Sequence, residues 1–131
     1  MAENMRRLER ERVLSLLYEA EMKGESAQAV LAELPVEPEE FVATTVNGVF
    51  DSATELDKSI DQYAIDWKTD RMASIDRSIL RIGAWELKKR PELPVAVIIS
   101  EAVELAKRFS THDSGKFING ILSAMADDIR S

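Results

Sequence analysis

The chain has 131 residues, a formal net charge of −7 and no cysteine. Its length suits one ordinary domain with a core of its own, and the lack of cysteine excludes disulfide bonds. No apolar run approaches the roughly 18 residues of a membrane span, and residues 1–23 lack an apolar signal core, so we expect no membrane association and no targeting peptide. The absence of thiols fits a reducing cytosol.

The charges are distributed unevenly along the chain. Residues 24–67 carry ten acidic side chains against Lys58 alone, whereas residues 1–23 carry five of each sign and residues 68–131 carry eleven basic side chains against nine acidic ones. An anionic ligand is therefore predicted to avoid the middle of the chain and to favour its two ends.

Apolar residues recur every three or four positions, and glycine and proline are few, which predicts an all-α protein. A first helix should end at Lys23-Gly24, and Ser26 should cap a short second helix that ends before Pro35. One apolar stripe then runs to Trp67, which predicts a single long helix over residues 38–67. The apolar positions of the first helix are Val13, Leu16, Leu17 and Ala20.

The remaining residues predict three more helices. A short helical turn near residue 72 should precede a deeply packed helix that ends at residues 88–91. Pro94 should open the next helix, whose core face includes Phe109, and "STHDSG" is expected to form a loop before a last helix begins near Lys116. The pattern therefore predicts a compact bundle of six to seven helices without strands.

The first helix places arginines where its apolar stripe should continue. Arg6 and Arg10 share a helical face with Val13, so the core is expected to end before residue 10, leaving Arg6, Arg7 and Arg10 together in solvent. Arginines at the positive end of a helix oppose its dipole, and their guanidinium groups match phosphate, which favours a phosphate-bearing ligand. The alternative is a solvated helix start, salt-bridged by the interleaved glutamates.

Catalytic and metal chemistry find no support in the sequence. The consecutive "HDS" at residues 112–114 cannot generally align a catalytic triad, and the acidic third helix lacks the Glu-x-x-His pairs of a di-metal bundle. We therefore predict no enzyme activity, no catalytic residue, no metal and no cofactor. The two Asn-Gly pairs, at residues 47–48 and 119–120, are interpreted as places where helices approach closely.

Four segments resemble the NusB family of bacterial transcription antitermination factors. "DRMASIDRSILRIGAWEL", "LPVAVIISEAVELAKRF" and "DSGKFINGIL" resemble its C-terminal two-thirds, and "RRLERERVLSLLYEAEM" resembles its arginine-rich first helix. Only residues 24–40 are unmatched. The resemblance implies one domain of two three-helix subdomains, about 1–67 and 68–131.

The same resemblance implies a non-enzymatic, cytoplasmic adaptor. With the small-subunit ribosomal protein NusE it would bind single-stranded boxA-type RNA and support ribosomal RNA transcription, with other Nus factors and RNA polymerase as indirect partners. By position, the implied RNA-binding residues are Arg6, Arg7, Arg10, Tyr18, Tyr63, Lys116 and Phe117, and those on the NusE side are Asp76 and Asp113.

Several alternatives remain open. Tyr18, Tyr63 and Phe117 could instead be packing aromatics, and Leu8, Glu9 and Glu11 dilute the arginine motif, which weakens the expectation that the protein binds RNA alone. The protein could be a homodimer that hides its arginine face. It could also be an RNA-guiding domain related to those of ribosomal RNA methyltransferases. The sequence contains no cofactor-binding unit, so this alternative would require it to be part of a longer enzyme.

Overall fold

The computed structural model describes residues 2–130, with side chains from residue 5 onward, and this part of the chain contains helices and no strand. The predicted all-α class is confirmed. No helix within residues 2–130 is long and apolar enough to cross a membrane. The seven α-helices are α1 (Ala2–Lys23), α2 (Ala27–Ala32), α3 (Glu40–Asp51), α4 (Ala53–Asp61), α5 (Ser74–Lys89), α6 (Val95–Phe109) and α7 (His112–Ile129), and a 3-10 turn (Thr69–Arg71) precedes α5.

The backbone divides into two units, Met1–Ser52 and Ala53–Ser131. The first contains α1 to α3, and the second contains α4 to α7. The predicted boundary near residue 67 would place α4 in the first subdomain. In the structure α4 packs against α5 and belongs to the second unit. It stays a prediction that the whole chain forms one domain of two subdomains.

The first unit forms around the predicted apolar face of α1. Gly24 has a φ of +65°, a left-handed conformation that glycine adopts without strain and that ends α1 as predicted. The Ser26 hydroxyl accepts a hydrogen bond from the amide of Ala29 at 3.1 Å and caps α2. Helices α1 and α3 pack through buried side chains that include Val13, Leu16, Leu17, Ala20, Val42, Val46 and Val49.

The prediction of one helix over residues 38–67 is wrong. Ser52 leaves the helical conformation, with φ −102° and ψ 8°, and separates α3 from α4. Helix α4 ends at Asp61, whose carboxylate accepts hydrogen bonds from the Thr69 amide and hydroxyl at 2.8 and 3.1 Å. Trp67, the last residue of the predicted stripe, is 54% exposed. Apolar spacing reports which positions are buried and does not report whether the backbone between them is continuous.

Helix α5 is the most buried helix of the second unit and packs against α6 and α7. A Cβ on Gly83 would lie 2.7 Å from Leu122 Cδ1, so only glycine fits there without displacing α7 side chains. The close approach predicted at Asn119-Gly120 is wrong, because no heavy atom outside its own helix backbone and neighbours lies within 4 Å of a Cβ on Gly120. Gly83 therefore permits the close packing of α5 against α7.

The predicted loop at residues 110–115 is also wrong. Helix α7 already begins at His112, because the Thr111 hydroxyl accepts a hydrogen bond from the Ser114 amide at 3.2 Å and caps it. Only Ser110 and Thr111 separate α6 from α7. Phe109, expected in the core, is 46% exposed at the last residue of α6.

Arg130 ties the end of α7 to the end of α5. Its guanidinium donates hydrogen bonds to the carbonyl oxygens of Leu87, Leu93 and Arg90 at 2.9, 3.0 and 3.0 Å. Leu87 lies in the last turn of α5, where carbonyls have no partner within the helix, so a remote arginine satisfies a group that α5 leaves open.

Candidate nucleic-acid interface

The arginine-rich start of α1 is only partly a solvent-exposed cluster. Arg6 and Arg7 are exposed, as predicted. Arg10 is only 2% exposed, so the expectation that the three arginines lie together in solvent is wrong. The buried stripe of α1 extends from Val13 back to Arg10.

Phe41 explains how an arginine can be buried there. This residue lies in the first turn of α3 and is 8% exposed. The guanidinium carbon of Arg10 lies 5.5 Å from the centroid of its ring, and that of Arg6 lies 4.1 Å from it. The electron-rich face of an aromatic ring attracts a cation, and the apolar arginine stem packs like a hydrophobic side chain. Phe41 therefore orients both arginines.

Phe41 is a residue that the sequence analysis missed. The apolar stripe of α3 begins beside it at Val42, which marks Phe41 as a packing residue. Nothing in the spacing links it to the arginines of α1. Only the packing of α1 against α3 brings the ring under the two guanidinium groups.

Acidic side chains accompany the exposed arginines. Arg6 Nη1 lies 3.2 Å from Glu9 Oε1, one helical turn along α1. Arg12 Nη1 lies 3.8 Å from Glu39 Oε1, and both of those side chains are exposed. The interleaved glutamate predicted to salt-bridge the helix start therefore does so at Glu9.

Tyr18 lies further along the same helix. It is 40% exposed, so the alternative of a core aromatic is wrong for this residue. It follows Arg6 by 12 positions, which is roughly 18 Å along α1 at about 1.5 Å per residue. One phosphate therefore cannot contact both side chains, and a ligand that reaches both must be extended.

Tyr63 contacts an acid in the second unit. Its hydroxyl donates a hydrogen bond to the Asp128 carboxylate of α7. That hydrogen bond, with smaller contributions from burial and the carboxylate charge, raises the pKa of Tyr63 above its ordinary value of 10.0. The side chain is half-buried, which is consistent with a packing aromatic that keeps its hydroxyl at the surface.

Asp76 joins α5 to the start of α7. Its two carboxylate oxygens accept hydrogen bonds from the hydroxyls of Ser110 and Ser114 at 2.6 and 3.0 Å. Ser114 is buried and also lies 2.8 Å from the Thr111 hydroxyl. The predicted partner-binding acid is thus half-buried and engaged within its own unit.

The other predicted residues of the second unit lie on the first two turns of α7. Asp113 and Lys116 are exposed, and Phe117 is half-buried. Lys116 is the fifth residue of α7, so it lies beyond the first turn, where the positive end of the helix dipole acts. The structure therefore brings Asp76, Asp113, Lys116 and Phe117 to one end of α7.

The described residues contain no group of three or more His, Asp or Glu side chains that could hold a metal ion.

Comparisons with known proteins identify one family. The model of the NusB family matches residues 7–127. The chain is 43% identical to the transcription antitermination protein NusB of Sorangium cellulosum (strain So ce56) over 92% of this chain and 90% of that protein. It is 38% identical to the NusB of Bacillus subtilis (strain 168) over 95% and 96% of the two chains.

Two solved structures share the fold. A T. maritima NusB superposes with a TM-score of 0.84 at 32% identity, covering 94% of this chain and 91% of that one. A crystal structure of the antitermination factors NusB and NusE in complex with dsRNA gives a TM-score of 0.79 at 25% identity, covering 94% and 96%. The chain belongs to the NusB family.

Proposed function

We propose that this protein is a transcription antitermination factor, an adaptor without enzymatic activity that binds RNA through the start of α1 and acts with the ribosomal protein NusE. The observation that carries this proposal is the exposed pair Arg6 and Arg7 in a protein of the NusB family. Its RNA is proposed to be a boxA-type element of nascent transcripts, and its compartment the cytoplasm.

The geometry of Arg6 supports an RNA-binding role. Its guanidinium rests on the Phe41 ring, which limits the orientations that the long side chain can adopt before a ligand arrives. A guanidinium presents donors that match two phosphate oxygens at once. Arg7 adds a second exposed cation, and Arg10 is proposed to hold Phe41 and α1 together rather than to contact RNA.

The second unit is proposed to contribute at the start of α7. Lys116 and the half-buried Phe117 offer a cation and an aromatic ring, which are the groups that contact phosphate and stack on unpaired bases. Tyr18 and Tyr63 are proposed as further RNA contacts. Asp113, exposed near Lys116 and Phe117 on α7, is proposed to face NusE, and Asp76 is proposed to support this end of α7 through its two serine hydrogen bonds.

A salt-graded RNA titration tests the role of α1. Arg6→Ala combined with Arg7→Ala removes two phosphate contacts, so the slope of log affinity against log salt should become shallower by roughly 1.4, at about 0.7 per single-strand phosphate. The matched control is Arg12→Ala combined with Lys23→Ala, which removes two cations from the same helix that are paired with acids. Equal slopes for both double variants would contradict the proposal.

The same titration with NusE present tests the adaptor role. The acidic residues 24–67 make long-range attraction of RNA poor, so RNA binding by the protein alone should be weak. We expect NusE to tighten binding of a boxA-type oligonucleotide at least about tenfold, or ~1.4 kcal/mol. Unchanged RNA affinity with NusE would contradict the adaptor role, and a stable homodimer that binds neither ligand would favour the dimer alternative.

A further inference from the structure

We propose that Glu9 competes with RNA for Arg6 and thereby lowers the RNA affinity of α1. This inference rests on the proposed function, because it assigns to Glu9 the regulation of the arginine pair that binds RNA. It predicts that removal of the Glu9 charge makes the protein a tighter RNA binder.

The contacts of Arg6 place Glu9 where a phosphate would bind. One face of the Arg6 guanidinium lies on the Phe41 ring, and Nη1 at its edge lies 3.2 Å from Glu9 Oε1. Glu9 follows Arg6 by three residues, the spacing at which helix side chains are neighbours. Phe41 occupies a face and leaves the edge donors available, whereas Glu9 occupies the edge that a phosphate needs.

Burial strengthens this competition. The Arg6 side chain is 48% exposed, and the Glu9 side chain is only 16% exposed. A carboxylate so enclosed stays beside the guanidinium when a ligand approaches, instead of moving away into solvent. An incoming phosphate must therefore share the Arg6 guanidinium with Glu9 and meet the repulsion of a like charge.

Glu9→Gln tests the competition by removing the charge and keeping the shape and the helix propensity. We expect it to bind a boxA-type RNA oligonucleotide, with NusE present, about two- to fivefold more tightly than the parent, which is the range of a partly exposed ion pair. The gain should shrink as salt is raised, because salt screens the pair. Circular dichroism should show unchanged helix content.

Glu19→Gln is the matched control. Glu19 lies on the same helix and pairs with Lys23 at 3.1 Å, so its substitution changes the net charge equally. It lies ten residues from Glu9, roughly 15 Å along the axis, which exceeds the screening length of about 8 Å at physiological salt. We expect its RNA affinity to match that of the parent.

A double-mutant cycle with Arg6→Ala shows whether Glu9 acts through Arg6. In the Arg6→Ala background, the gain from Glu9→Gln should fall to the level of the Glu19→Gln control. A gain of the same size in both backgrounds would overturn the proposal, because it would reflect net charge alone.

Failure of this inference is distinguishable from failure of the proposed function. If Glu9→Gln binds like Glu19→Gln while the Arg6 and Arg7 double variant still loses affinity, the competition is wrong and RNA binding by α1 stands. If the double variant keeps its affinity and salt slope, the proposed function of α1 is wrong and the inference is overturned with it.

Discussion

Arg10→Ala should destabilise the protein, although Arg10 belongs to the motif that the family resemblance assigns to RNA. The side chain is 2% exposed, and its guanidinium lies 5.5 Å from the centroid of the Phe41 ring. Substitution by alanine removes both the cation on the ring and the apolar stem that fills the space between α1 and α3.

The loss can be estimated from these two contacts. A desolvated cation over an aromatic ring contributes about 2 kcal/mol. The two methylene groups that alanine lacks contribute about 0.8 kcal/mol each when buried. Release of a buried charge from its desolvated position offsets part of this sum, so we expect a net loss of about 2–3 kcal/mol. For a chain of this length that corresponds to a midpoint lower by roughly 6–12 °C.

Thermal and urea unfolding, followed by circular dichroism, measure this loss. Arg12→Ala is the control, because Arg12 is an exposed arginine of the same helix and its substitution should change stability by less than about 0.5 kcal/mol. Phe41→Leu should be non-additive with Arg10→Ala, since each removes the same contact. If Arg10→Ala unfolds like Arg12→Ala, the assignment of Arg10 as a packing residue is wrong.

Three further predictions concern the second unit. Arg130→Ala should lower the free energy of unfolding, measured by urea denaturation, by about 2–3 kcal/mol. Arg130→Lys should recover only part of this loss, because an ammonium cannot reach the same three carbonyls. Full recovery by lysine would contradict this explanation. Spectrophotometric titration should place the pKa of Tyr63 above 10.0, and Asp128→Asn should return it toward that value. Because the raised pKa favours the neutral phenol in the folded state, the contribution of Tyr63 to stability is complete below its unfolded pKa and is lost as pH rises through its folded pKa; a Tyr63→Phe variant with the same alkaline pH dependence as the parent would refute this. Leu56→Asp should unfold the protein, because Leu56 is 1% exposed and an unpaired buried carboxylate costs several kcal/mol. Thr54 is exposed on the same helix, so the control Thr54→Asp should leave the melting curve nearly unchanged.

Local chemistry explains the features that were predicted correctly. The end of α1 at Lys23 and Gly24 follows from the left-handed turn that glycine permits, and the Ser26 cap of α2 spans only three residues. The buried face of α1 repeats with the helical period. Each of these signals lies within one or two turns of chain, where neighbouring residues decide the conformation.

The predictions that failed depend on residues distant in sequence or on competing local signals. The small and polar residues of "STHDSG" predicted a loop, but the Thr111 cap starts α7 inside it, and Asp76 holds the new helix from α5 through Ser110 and Ser114, 34 and 38 positions away. Likewise, an uninterrupted apolar stripe hid the break at Ser52, because buried positions on either side keep the helical spacing.

The sequence by itself determined that this chain is helical, where most helices end, and that its motifs match the NusB family. Only the tertiary structure decided which arginines of α1 are buried and which are exposed, because the arginines are chemically equal in the sequence. Phe41 packs beneath Arg6 and Arg10 and buries one of them, while Glu9 occupies the edge of the other. A side chain is exposed or buried according to what packs opposite it, and for α1 that surface is supplied by α3, whose position the spacing of α1 does not encode.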